Sequence, residues 1–156
     1  ASIISSNIDY TKSILNIERE QKKPRKDFVY YSDVENQIWY FYPELFDKHE
    51  KNYEWGNITD KNEIVSILDL YFNKYYNKNE DKDTWFNNMK TLCDELGYAS
   101  DMKAYKENPE HYKGNVADVS TVIRVSLTTK SMTPDLYEIL KLLSTDEITK
   151  RINLLK

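Results

Sequence analysis

The chain has 156 residues, of which 40% are hydrophobic and 31% charged, with a net charge of −4 and a pI of about 5.3. That length suits one domain or two small subdomains around a shared core, and the acidic balance excludes bulk coating of nucleic acid while allowing a local basic patch. No apolar run approaches the roughly 18 residues of a membrane span, "ASIISSNIDY" lacks the basic-then-apolar form of a secretory signal, and lone Cys93 cannot close an internal disulfide, so the sequence reads as cytosolic, without membrane, metal or disulfide staples.

Scarce glycine (3) and proline (4) favour helices over a turn-rich β-sandwich. A first helix is expected from Ile8 to Gln21, stopped by Pro24, which disfavours helical backbone in the residue before it. Ser32 and Glu35 in "SDVE" form a capping-box signature leading into "NQIWYFY". Pro43 is placed to open a helix through "PELFDKHEKNYEW". The strongest pattern is "DKNEIVSILDLYFNKYY", with Asp60 and Glu63 as a capping box and Ile64, Ile67, Leu68, Tyr71 and Tyr75 on one face. After the polar break "NKNEDKD", a helix is expected from Asp83 or Thr84. Its stripe is Trp85, Met89, Leu92, Cys93 and Leu96, and Gly97 suits its C-terminal cap. Cys93 lies on that stripe and reads as a buried thiol rather than a nucleophile. "NPEHYKG" reads as a loop or a short helical turn. Val116, Val119, Ile123 and Leu127 then mark a core-facing helix, Pro134 suits the first turn of "PDLYEILKLL", and Ser144 with Glu147 caps a last helix with Ile148, Ile152 and Leu155 inward. The whole reads as all-α, a two-part helical bundle divided at about 1–112 and 113–156.

Catalytic and metal signatures are missing from the sequence. His49 and His111 are far apart, there is no His-x-x-x-His pair, and three glycines at 56, 97 and 114 cannot build a phosphate loop. The carboxylates fall on polar faces, and the 13 tyrosines, found with abundant Asn, Lys and Ile, fit an AT-rich coding bias better than a base-stacking surface. Two clusters suit an anion. "KKPRK" places Lys22, Lys23, Arg25 and Lys26 at a helix end, either as phosphate contacts or as partners of the helix dipole. Arg124 and the "TTKSMT" loop offer a two-pronged cation beside small hydroxyls able to read base edges. The alternative there is an Arg124 ion pair with Asp118 or Glu138 and a loop that merely connects.

"GNVADVSTVIRVSLTTKSMTPDLYEILKLLSTDEITKRINLL" resembles the C-terminal end of bacterial-type glutamyl-tRNA synthetases: a Gly-Val-rich helix, an Arg-x-x-Leu-Thr-Gly element, a loop, a proline-leucine helix and a final Arg-Ile/Leu helix. "LNIEREQKKPRKDFVYYSDVENQIWYFY" and "TWFNNMKTLCDELGYASDMKAYKENPEHYKG" are similar to the anticodon-binding region of the same class I enzymes. The resemblance implies an all-helical cage for the tRNA anticodon. It places catalysis, with ATP and Mg²⁺ as cofactors, in a separate Rossmann-type half whose signature motifs are absent from these residues. "TTKSM" is a poor match to that half's lysine-serine loop. The chain is thus expected to be an isolated anticodon-binding domain with no catalytic residue, metal or cofactor of its own, and Ala1 reads as a cloning remnant. The implied partner is tRNA-Glu, or also tRNA-Gln for a non-discriminating parent, and the parent is expected to be a monomer. Carried over along the ungapped stretch, the anticodon contacts fall on Arg124, Ser131, Thr133, Pro134 and Leu136. Lys22, Lys23, Arg25 and Lys26 would neutralise phosphates. Thr129 stands where the family usually has glycine and Asp135 where some members have it, and Ile17 or Arg19 occupies the position that separates the two tRNAs. A helical protein-interaction scaffold is the alternative function, and it requires "IWYFYPELF" to be exposed.

Overall fold

The computed structural model describes residues 39–156. The first expected helix, Ile17, Arg19, the "KKPRK" cluster and the Ser32/Glu35 cap lie outside the described residues. All regular elements described are helical: α1 (Pro43–Lys48), α2 (Lys61–Leu70), α3 (Lys82–Leu96), α4 (Met102–Glu107), α5 (Val116–Thr128), α6 (Leu136–Leu142) and α7 (Thr145–Asn153). Trp39–Phe41 and Pro109–His111 add short 3₁₀ turns, and Tyr71–Tyr75 extends α2 as a π-helical turn. The chain forms the expected all-α bundle.

Helix α5 is the hub. It packs on α2, α3, α7 and the Trp39–Phe41 turn. Its start is fixed by a reciprocal capping box. The Asn115 side chain accepts from the Asp118 amide, and the Asp118 carboxylate accepts from the Asn115 amide. Gly114 precedes it because a Cβ there would lie 2.5 Å from Asp118 Oδ2. Beyond the first turn, Val119, Val122, Ile123, Val125, Ser126, Leu127 and Thr128 are all buried, so Asp118 and Arg124 are the only charged residues of this helix.

Several expected boundaries moved. The helix opened by Pro43 stops at Lys48, and His49 is already extended. Lys51 Nζ donates to the carbonyls of Phe46 (2.8 Å) and His49 (3.3 Å), so a side chain takes the acceptors that a continuing helix would have used. Residues 49–60 instead form an irregular strap. Its Asn57 side chain donates to Asp118 (2.8 Å), and its Tyr53 and Trp55 rings stack at 5.4 Å. Asp60 caps α2 as expected, but Glu63 turns away from the reciprocal role and accepts from Tyr98 Oη at 2.6 Å. Helix α3 begins at Lys82, ahead of the expected Asp83 or Thr84, because Asp81 caps it. Gly97 takes the left-handed C-terminal conformation (φ 88°). Helix α4, capped by Asp101, was not foreseen. Pro134 lies before α6 rather than inside its first turn, since the helix starts at Leu136.

Candidate nucleic-acid interface

Arg124 projects from α5 one turn before its end. It is half-buried, its Nε is buried without a hydrogen-bond partner among the described residues, and desolvation lowers its pKa against the opposing pull of Asp135 and Tyr40. Arginine holds its charge through such a shift, so α5 delivers a cation with an unspent donor. Neither carboxylate expected as an alternative partner pairs with it. Asp118 is engaged by Asn115 and Asn57, and Glu138 forms no ion pair with Arg124. Asp135 is the nearest counter-charge in effect. It occupies the N-cap position of α6 without capping it, and its Oδ2 accepts from Lys82 Nζ at 2.6 Å. Lys82, at the start of α3, is thereby joined to Asp135, 53 residues along the chain.

The turn that follows is built on Thr129. Its φ of 68° is left-handed, the conformation that a glycine adopts freely. The backbone there therefore keeps the glycine-type geometry despite the side chain, and the Thr129 amide closes α5 onto Val125 O at 2.7 Å. Thr128 Oγ1 donates within the turn and accepts from the Lys130 amide at 3.1 Å. The strap supplies the outer wall. The Glu54 amide donates to Thr129 O (2.9 Å), and Glu54 Oε1 accepts from the Ser131 amide (2.9 Å) and hydroxyl (3.3 Å). Lys130 Nζ lies 3.5 Å from Glu54 Oε2. The Ser131 amide bond, foremost, draws the Glu54 carboxyl below its ordinary pKa.

The expected contact residues are thus placed unevenly. Arg124, Ser131 and Thr133 are half-buried. Pro134 is buried, and Leu136, at 1% exposure, belongs to the core. The most exposed side chain of the turn is Met132 (84%), which sequence reasoning passed over, as it passed over Glu54. Met132 is a lone apolar residue in a polar loop. Glu54 lies 77 residues from Ser131, so no local signal could have joined them. Cys93 is fully buried, and desolvation, with Asp94, pushes its thiol up to about 12, as suits a core residue. Among the described residues, no group of three or more His, Cys, Asp or Glu side chains is arranged to hold a metal.

Residues 23–155 match the family model for an anticodon binding domain. The chain belongs to that family. Similarity to individual members covers nearly all of it. It is 43% identical to a glutamate–tRNA ligase of Clostridium perfringens strain 13 over 151 residues, and 36% identical to one of Acetivibrio thermocellus over 154 residues. It is 30% identical to one of Sorangium cellulosum over 155 residues. These alignments take in 96–97% of the chain but only 26–28% of the relatives, so this anticodon-binding domain spans little more than a quarter of their length. No solved structure matches it.

Proposed function

We propose that this chain is the anticodon-binding region of a glutamate–tRNA ligase and that its work is positional. Anticodon bases leave their stack and meet the edge formed by Arg124 and the 129–134 turn, and the tRNA is thereby oriented toward a catalytic half. In this reading glutamate activation, with ATP and Mg²⁺, belongs to that other half. The ligand is tRNA-Glu, joined by tRNA-Gln if the parent is non-discriminating.

The observation that carries the proposal is Arg124: a guanidinium held half-buried on a core helix with Nε unspent. An arginine guanidinium beside a hydroxyl-rich turn suits a base edge or a phosphate, which its planar fork can bind by two donors at once. Family membership and the glycine-type turn at Thr129 support the same reading. The scaffold alternative loses its main support, because Trp39, Phe41 and Phe46 are all buried.

The test compares tRNA-Glu with an anticodon-substituted tRNA on the wild type and on Arg124→Ala. The wild type should prefer tRNA-Glu, and the substitution should remove about 1–3 kcal/mol of that preference. Equal binding of the two RNAs by both proteins would overturn the proposal.

A further inference from the structure

The donors of the turn are not open. The Ser131 amide, the Ser131 hydroxyl and Lys130 Nζ converge on one carboxylate, Glu54, which the strap brings from 77 residues before Ser131. Three donors around a single anionic oxygen pair would suit a phosphate or the carbonyl edge of a base equally well. Glu54 is not needed to hold the strap, since its own amide already donates to Thr129 O at 2.9 Å and Asn57 ties the strap to Asp118. The carboxylate is also solvent-accessible (47%), so it can leave without unpacking the core.

From this we infer that Glu54 is a resident stand-in for the RNA: its side chain fills the oxygen-acceptor site of the turn and is displaced when RNA binds. The inference rests on the proposed anticodon function and deepens it, since it names a residue that sets how tightly and how selectively the turn binds. A ligand must compete with the carboxylate, and only an acceptor presented at the right depth beside Arg124 recovers the cost of displacing it. Asp135 stands in the same relation to Lys82, so Lys82 and Lys130 are each held by a carboxylate before RNA arrives.

The experiment measures binding of a tRNA-Glu transcript and its anticodon-substituted counterpart to five forms of the full chain: wild type, Glu54→Ala, Lys130→Ala, the double variant, and Glu50→Gln. Glu50 is exposed and controls for the general effect of removing an acidic charge. A displaced stand-in predicts that Glu54→Ala binds about two- to five-fold tighter, the weight of one exposed charge-assisted contact. It also predicts that this gain disappears in the Lys130→Ala background and is not reproduced by Glu50→Gln. A gain shared by both RNAs, with a steeper salt dependence, identifies the displacing oxygen as phosphate; a gain confined to tRNA-Glu identifies it as a base edge. Unchanged or weaker binding by Glu54→Ala overturns the inference and makes the contact purely structural. A gain that survives loss of Lys130, or that Glu50→Gln matches, overturns it in favour of long-range charge. In these cases wild-type preference for tRNA-Glu leaves the anticodon reading standing, whereas absence of anticodon dependence in every form sinks both.

Discussion

Thr129 carries its strain openly. A β-branched residue at φ 68° costs about 1–2 kcal/mol relative to glycine, yet its side chain is only 2% exposed and its burial returns a comparable amount. Thr129→Gly should therefore leave stability within about 1 kcal/mol of wild type, and tRNA affinity unchanged, as read by thermal melts and a binding titration. The sequence marked the position as anomalous; that the turn keeps its glycine geometry follows from the Glu54 and Val125 bonds that surround it. Glu80 offers a second single-residue test. It is buried, with Oε2 accepting from Asn88 at 2.8 Å and Oε1 without a partner among the described residues, and desolvation raises its pKa above the ordinary 4.5. A raised carboxyl pKa means that the folded state holds the proton more tightly. Its favourable contribution is thus fully present below pH 4.5 and is lost as the pH rises through that value toward the folded pKa. Glu80→Gln should be the more stable protein at pH 7 by about 1 kcal/mol, with the difference vanishing at pH 4 in urea titrations.

At the scale of elements, the join between α7, α5 and α1 is made by a residue that the hydrophobic pattern hid. Arg151 is fully buried. Its Nε donates to Glu147 at 2.8 Å, Nη1 donates to Leu127 O at 2.8 Å, and its guanidinium carbon lies 3.8 Å over the Phe46 ring. Ile148 and Ile152 were legible as the inner face of α7, but Glu147 and Arg151 ride on the same face as an i,i+4 pair, and charge alone suggested solvent. Removing one partner strands the other in the core, so Arg151→Ala should cost about 3–5 kcal/mol in urea unfolding. Lys150→Ala, which breaks only the exposed pair with Asp47, should leave the urea midpoint almost unchanged. The starts of the helices with strong periodicity and a capping residue, α2, α3, α5 and α7, were readable to within a residue or two. Helix α4 and the stop of α1 were not, because a short helix offers little periodicity and α1 ends where Lys51 captures its carbonyls.

For the whole molecule, the balance of charge matters more than its total. With a net charge of −4, the proposed RNA affinity has to come from local cations rather than from the average field. Replacing Lys22, Lys23, Arg25 or Lys26 by alanine should weaken tRNA-Glu and anticodon-substituted tRNA alike and reduce the salt slope by about one for each phosphate no longer neutralised. An unchanged slope would remove the phosphate role. The same measurement on Arg124→Ala should show the converse, a loss of preference out of proportion to the change in slope. By itself the sequence determined the helical class, most caps and inner faces, and the family likeness, because periodicity, capping chemistry and linear motifs are properties of neighbours along the chain. Only the tertiary structure decided which acceptors hold the turn, that Arg124 Nε has no hydrogen-bond partner among the described residues, and that Leu136 belongs to the core. Each of those depends on residues such as Glu54, Lys82 and Asp135 meeting across helices, and pairing at that range leaves no mark in local sequence.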